Sequence, residues 1–222
     1  MPTDLTGLAD LLLSAGVLTF GDFTTKSGRA TPYFLNFGNV RTGSQVAALG
    51  ELYAEVIDET FGRDVDVLFG PAYKGIPLAV ATATALERRQ GRAVGFCFDR
   101  KEAKDHGEGG LLVGQVPRDG DRVVIVEDVT TAGTSVRETI PKLRAAAPQV
   151  QVVGLVVAVD RQERAPDDDR PALQAVGEDN ALVATAIARI DELVDHLATR
   201  DHGTLADADV ARFRDYRLRW GA

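Results

Sequence analysis

Uninterrupted apolar runs alternate along this chain with longer stretches in which apolar residues recur at helical spacing. That alternation predicts an α/β protein whose mostly parallel central sheet is flanked by helices, because a strand covered on both faces reads as a continuous apolar run, not an alternating one. Strands are expected over 65–69, 93–98, 122–127 and 150–159, with helices over 44–61, 75–90 and 134–146 between them. A repeated strand–helix order of this kind implies parallel pairing. Before it, a helix near 4–15 and strand-like pieces at 20–25 and 33–37 predict a small N-terminal hood formed largely by about 1–40. A short apolar run at 111–113 follows the second sheet strand. The last third is less regular, with a strand expected over 181–187 and helices over 191–200 and 205–220. Pro141 falls inside a helical pattern, where it removes one backbone hydrogen bond.

Composition narrows the functional classes. A chain of 222 residues that is 45% hydrophobic holds one substantial core, so a single domain over 1–222 is the expectation. The formal charge of −8 argues against a nucleic-acid footprint and points to a small-molecule partner. Cys97 is the one cysteine, which excludes a disulfide within the chain and fits a buried thiol in a reducing cytoplasm. The apolar triplet 11–13 is too short for a membrane span and follows Asp10.

The most specific local chemistry lies at 123–135. The strand Val123-Val124-Ile125-Val126 runs into Glu127-Asp128-Val129-Thr130-Thr131-Ala132-Gly133-Thr134-Ser135 and then a helix. A loop here sits at the carboxyl end of a sheet strand and at a helix N-terminus, where free N–H groups attract phosphate. Ala132 and Gly133 leave the backbone approachable, the hydroxyls of Thr130, Thr131, Thr134 and Ser135 add donors, and Glu127 and Asp128 are placed to accept hydrogen bonds from vicinal sugar hydroxyls or to help hold a metal. A strand that turns into a capped helix is also an ordinary α/β corner. The Walker pattern is absent, and the glycines at 107 and 109 lack the third glycine of a dinucleotide fingerprint.

A second segment, Phe98-Asp99-Arg100-Lys101-Glu102-Ala103-Lys104-Asp105-His106-Gly107-Glu108-Gly109-Gly110, has no apolar periodicity and reads as a solvated loop. Arg100, Lys101, Lys104 and His106 concentrate positive charge in an acidic protein, and the glycines that follow allow hinging. By composition alone a charged run is a solvated face.

The 127–135 run resembles the phosphoribosyl pyrophosphate loop of type I phosphoribosyltransferases. The 100–107 run is similar to the lid Arg-Lys-Glu-x-Lys-x-His-Gly of the orotate phosphoribosyltransferase family. Three further blocks match that family in the same order: Lys26-Ser27-Gly28-Arg29 with Pro32-Tyr33-Phe34-Leu35-Asn36, then Gly70-Pro71-Ala72-Tyr73-Lys74-Gly75-Ile76-Pro77, then Asp160-Arg161-Gln162-Glu163-Arg164. Together they span 26–164.

The resemblance implies the type I phosphoribosyltransferase fold with a mobile lid at about 99–111. The implied activity is transfer of the 5-phosphoribosyl group from phosphoribosyl pyrophosphate to orotate in pyrimidine biosynthesis. It implies Mg²⁺ held mainly by substrate pyrophosphate and ribose hydroxyls without a fixed protein cage, and a homodimer with shared active sites. It places the donor against Lys26, Tyr73, Lys74, Arg100, Lys101, Lys104, His106 and the run Glu127, Asp128, Val129, Thr130, Thr131, Ala132, Gly133, Thr134 and Ser135. Lys104, His106, Lys101 and Asp128 are the expected catalytic residues. Orotate is expected at Lys26, Phe34, Leu35, Thr131 and Arg161, the guanidinium serving its carboxylate and the 34–35 backbone its ring edge. Leu35 stands where many members carry an aromatic residue.

Competing readings predict different features. An enzyme for another base needs no carboxylate partner at Arg161. A regulator that senses the donor and binds DNA needs an extra basic segment, and a structural interaction protein leaves the basic loop unexplained. Individually, Lys74 reads as a helix-start lysine opposed to the helix dipole, and Arg161 beside Asp160 as a surface ion pair.

Overall fold

The structure, a computed structural model, describes residues 5–25, 28–104, 110–130, 133–165, 168–199 and 205–222. Its centre is a six-stranded sheet of order β5-β4-β3-β6-β7-β8, built from β3 (Val67–Phe69), β4 (Gly95–Lys104), β5 (Gly110–Gly114), β6 (Arg122–Glu127), β7 (Gln151–Asp160) and β8 (Val183–Arg189). All neighbours pair in parallel except β4 and β5, which form an antiparallel edge. The parallel sheet expected from the apolar runs is therefore present, with one reversed strand added.

β6 explains why those runs are continuous. Val124 and Val126 face one apolar layer while Val123 and Ile125 face the other, and all four are fully buried. Helices α4 (Thr134–Ala146) and α5 (Ala172–Asn180) cover the second layer through Val136, Ile140, Leu143, Leu173 and Val176. The first layer is thicker. It takes α1 (Leu5–Ser14), α2 (Gly43–Phe61), α3 (Gly75–Gln90), α6 (Ile190–Thr199) and α7 (Asp207–Trp220), together with the N-terminal hairpin. That hairpin is the separate antiparallel pair β1 (Leu18–Thr24) and β2 (Ala30–Leu35), followed by a 3₁₀ turn at Phe37–Asn39.

Two departures from the sequence expectation bear on function. The basic segment is strand as far as Lys104, not loop from 99 onward: β4 continues through it and pairs again at Lys104 with Gly110, across an irregularity between Asp99 and Lys104. Beyond Cys97 β4 outruns β3 and keeps a strand partner only on the β5 side, so this stretch carries no apolar signature. Helix α5 also had no counterpart in the sequence pattern. Its C-cap is Ala181 at φ 53°, where a glycine would ordinarily mark the helix end. Pro141 sits inside α4 as expected, and nothing in the structure assigns it a role.

Candidate active site

The carboxyl ends of β3, β6 and β7 deliver three loops to one rim of the sheet. After β3 the chain turns tightly into α3, and the turn demands glycine twice: a Cβ on Gly70 would lie 2.1 Å from the Gly75 carbonyl oxygen, and one on Gly75 would lie 2.7 Å from the Gly70 carbonyl carbon. This packing presents Tyr73, which is 71% exposed, and Lys74 at the α3 N-cap. A lysine there opposes the helix dipole, and the structure supplies its reason: Lys74 Nζ donates to Asp128 Oδ2 at 2.8 Å.

After β6 the acidic pair separates into two environments. Asp128 is buried and tied to Lys74, while its carbonyl accepts from the Ala158 N–H at 2.9 Å. Glu127 accepts from Ser135 Oγ at 2.6 Å, and Tyr53 Oη donates to the Glu127 carbonyl at 2.6 Å. Burial pushes the Glu127 carboxyl up from 4.5 to about 7, with the Ser135 hydroxyl opposing and the Asp128 charge adding to the rise. Val129 packs partly against the core and Thr130 is buried, its Oγ1 accepting from the Gly133 N–H at 3.2 Å. Gly133 takes φ 64°, and a Cβ there would meet Val176 Cγ2 at 2.4 Å. Thr134 and Ser135 then open α4, whose first N–H groups lack partners within the helix.

The root of the basic segment is anchored to the same rim. Asp99 is 3% exposed, accepts from the Ala72 N–H at 2.8 Å and from Lys142 Nζ at 2.6 Å. Burial alone would raise its carboxyl, yet the Ala72 N–H and the Lys142 ammonium outweigh it and hold the group below its usual range. The turn after β3, β4 and α4 thus meet at one carboxylate. Beyond Asp99, Arg100 is half-buried and Lys101 exposed. Of Lys104 only the backbone is described. Lys26, His106, Thr131 and Ala132 lie outside the described residues.

After β7 comes Arg161, which is buried, not on the surface: Nε and Nη2 donate to Glu163 Oε1 at 3.1 and 2.6 Å, and its guanidinium lies 4.6 Å from the Tyr33 ring centroid. This brings Arg161 against the hairpin residues expected beside it. Phe34 is 43% exposed and stacks on Phe23, whereas Leu35 is buried in the core, so its side chain does not stack on a ligand. Cys97 is fully buried in β4 with its thiol pushed to about 12 by burial, as an inert core residue should be.

Sequence reasoning did not single out Asp99, Lys142, Tyr53, Glu163 or Tyr216. Glu163 stood inside a matched block, but nothing local distinguishes a carboxylate that receives partners from distant elements.

Residues 40–186 match the family model of the phosphoribosyl transferase domain. The chain is 53% identical to an orotate phosphoribosyltransferase of Lachnoclostridium phytofermentans over 85% of this chain and 83% of that one, and 51% identical to one of Bifidobacterium longum over 96% of each. The chain belongs to the orotate phosphoribosyltransferases. A crystal structure of orotate phosphoribosyltransferase from Francisella tularensis superposes with a TM-score of 0.81 at 35% identity, covering 96% of this chain and 98% of that one. Phosphoribosyl transfer to orotate, a step of pyrimidine biosynthesis, is the activity that membership carries. The fold is accordingly that of the type I phosphoribosyltransferases. No helix among the described residues is long and apolar enough to cross a membrane.

Proposed function

We propose that the rim formed by the loops after β3, β6 and β7 carries out this transfer with a division of labour between donor and acceptor sides. The observation that carries it is the Lys74–Asp128 pair, which joins the turn after β3 to the acidic loop directly before the α4 N-terminus. In this reading the 5-phosphate lies on the N–H groups of residues 131–135, with the Thr130, Thr131, Thr134 and Ser135 hydroxyls around it, and Val129 shapes the loop. Glu127 and Asp128 accept the ribose hydroxyls. Tyr73 and Lys74 flank the pyrophosphate, with Lys26 nearby.

Breaking the bond from the anomeric carbon to pyrophosphate builds positive charge on the ribose ring and negative charge on the leaving group. The Glu127 and Asp128 carboxylates lie on the side of the developing cation. Lys74 neutralises the leaving group, and Arg100, Lys101, Lys104 and His106 close over it, excluding water that would capture the ribosyl group. Lys104 and His106, with Lys101, act on the leaving group as it departs, and Asp128 orients the ribose. In this reading the lid takes its root from β4, which extends to Lys104, and from the Asp99 carboxylate that ties β4 to the turn after β3.

The acceptor lies between the hairpin and the end of β7, its carboxylate on Arg161, its ring edge on the 34–35 backbone, with Thr131 and Lys26 closing the pocket. The oxygens at the rim suit Mg²⁺, a hard cation that keeps water and substrate oxygens. Among the described residues no group of three or more His, Cys, Asp and Glu side chains stands close enough to enclose a metal, and Asp128 and Glu127 already have partners. In this reading the ion would be held mainly by the pyrophosphate and ribose hydroxyls, beside Glu127 and Asp128, and would supply positive charge to offset that of the leaving group. A homodimer in which the lid of one subunit reaches its neighbour's site completes the reading, in a cytoplasmic setting.

The test is the ultraviolet absorbance of orotate with purified protein, phosphoribosyl pyrophosphate and Mg²⁺, with uracil, adenine and hypoxanthine in parallel. Orotate loss that requires both donor and Mg²⁺ is expected. Turnover of another base in its place would overturn the acceptor assignment and leave the donor site standing.

A further inference from the structure

One carboxylate gathers four side chains from the hairpin, the end of β7 and α7. Glu163 is 7% exposed. Its Oε1 accepts from Tyr33 Oη of β2 at 3.0 Å, from Tyr216 Oη of α7 at 2.8 Å, and from Arg161 Nε and Nη2 at 3.1 and 2.6 Å. Its Oε2 accepts from Arg29 Nη1, just before β2, at 3.3 Å. The Arg29 guanidinium in turn lies 4.4 Å from the Trp220 ring centroid at the end of α7.

The backbone repeats the connection. Glu163 bridges to Gly221, the Arg164 N–H donates to the Trp220 carbonyl at 3.2 Å, the Ala222 N–H donates to the Gln162 carbonyl at 3.0 Å, and Arg217 donates to that same carbonyl. Between Arg161 and Glu163, Gln162 takes φ 52°, held by the Asp160 carboxylate, which accepts from its N–H at 2.8 Å. A non-glycine residue in the left-handed region is unfavourable on its own, so the surrounding contacts hold it there.

Charge decides what this cluster lacks. It contains two guanidinium groups and one carboxylate, and both tyrosine hydroxyls are pushed up by burial and stay neutral. Arg29 reaches solvent, whereas Arg161 is buried and shares its one carboxylate partner with Arg29, so an anion at its remaining edge is favourable. The two Arg161 donors that Glu163 takes are Nε and Nη2; among the described residues Nη1 has no hydrogen-bond partner.

We propose that Glu163 is a positioning residue for the acceptor: it grips one edge of the Arg161 guanidinium so that the Nη1 edge meets the acceptor's carboxylate, and Tyr216 steadies Glu163, so that helix α7 takes part in acceptor selection. The inference rests on Arg161 being the acceptor's carboxylate partner. It differs from a plain structural staple, which would damage donor and acceptor handling alike, and from simple charge competition, in which removing Glu163 would tighten acceptor binding.

The experiment is steady-state kinetics on the full chain with Glu163→Gln, Tyr216→Phe and Arg161→Ala, each checked by circular dichroism and thermal melting. Glu163→Gln should raise the KM for orotate about ten-fold or more, the worth of one charge-assisted hydrogen bond held in line. Tyr216→Phe should raise it by roughly three-fold, a single neutral hydrogen bond removed at one step from the ligand. In both, the KM for phosphoribosyl pyrophosphate should stay within about two-fold, far below a lost charge-assisted bond. An orotate KM that is unchanged or lower in both variants, or that rises in step with the donor KM, overturns the proposal. If Glu163→Gln fails to fold, Tyr216→Phe alone decides by the same criterion. The underlying reading fails separately: an Arg161→Ala enzyme with an unchanged orotate KM removes the carboxylate partner itself, whereas an Arg161 effect without a Glu163 or Tyr216 effect removes only the positioning role.

Discussion

Replacing Glu127 by glutamine should uncouple donor binding from pH. In the folded enzyme the Glu127 carboxyl sits at about 7, raised from 4.5 chiefly by burial. If ribose hydroxyls bind its ionised form, the competent fraction of enzyme is about one tenth at pH 6 and about nine tenths at pH 8, and apparent donor affinity scales with that fraction. Wild-type KM or Kd for phosphoribosyl pyrophosphate should therefore fall about nine-fold more across this interval than in Glu127→Gln, since the donor's own phosphate titration is common to both. Calorimetry in buffers of different ionisation enthalpy should show proton release on donor binding near pH 7 in the wild type and not in the variant. Parallel pH profiles for the two proteins would refute the role.

The same group makes a stability prediction of definite sign. Its folded pKa lies above its unfolded one, so the folded state binds the proton more tightly. The contribution is present in full below about 4.5 and is lost as pH rises through about 7, up to about 3 kcal/mol. For a chain of this size that corresponds to roughly 6–12 °C in Tm. Between pH 5 and pH 8 without ligand, the wild type should lose more thermal stability than Glu127→Gln, and a donor that demands the ionised form should restore part of it. Equal losses would show that Glu127 does not carry the shift.

Three further outcomes are expected. Lys104→Ala should lower kcat by roughly 10²–10⁴-fold with an unchanged melting temperature, because charge stabilisation of the leaving group is made mainly in the transition state; wild-type turnover would exclude it. Lys142→Met leaves the buried Asp99 short of its ion-pair partner and should cost about 2 kcal/mol and raise the donor KM more than the orotate KM. Because the Asp99 carboxyl is held low, that cost should be present above the usual carboxylate range and vanish as pH falls through its depressed value, which melts at pH 7 and in acid will check. Mixtures of Lys104→Ala and Asp128→Asn protomers should regain activity after subunit exchange if the lid serves the neighbouring site, and verified exchange without recovery would place each site within one chain.

What was legible in the sequence follows the range of the forces involved. The spans of β6 (Arg122–Glu127), α3 (Gly75–Gln90) and α4 (Thr134–Ala146) coincide with the pattern because burial on both sheet faces and glycine at each turn write themselves into consecutive residues. The extension of β4 through Arg100 and Lys101 was not legible, since it is pinned to the edge strand β5 only at Asp99 and Lys104, on either side of an irregularity, and has no strand on its other side to impose an apolar pattern. Nor was α5, which starts after Pro171 and ends on a left-handed alanine. In the site, Glu127, Asp128, Lys74 and Arg161 were named from short motifs, but their partners were not. Lys142 reaches Asp99 across 43 positions and Tyr33 reaches Glu163 across 130. No local rule predicts such pairs; they exist only once the sheet has placed both ends.

Those long-range partners also explain how one rim can handle two chemically different ligands. The donor side hangs on β6, which contributes to both layers, and on α4, whose apolar residues pack in the layer shared with α5, and its charges are settled by Lys74, Ser135 and, through the turn after β3, Asp99. The acceptor side hangs on the hairpin and α7, packed in the opposite layer, with its charges settled at Glu163. Among the described contacts, the two sets of polar partners share no side chain. Substitutions in separate networks tend to act additively, whereas members of one network couple. Glu163→Gln combined with Tyr216→Phe should therefore depart from additivity in the orotate KM, while Glu163→Gln combined with Lys142→Met should multiply. Strong coupling in the second pair would mean that the two halves are not mounted independently, and that acceptor choice is transmitted through the donor loop itself.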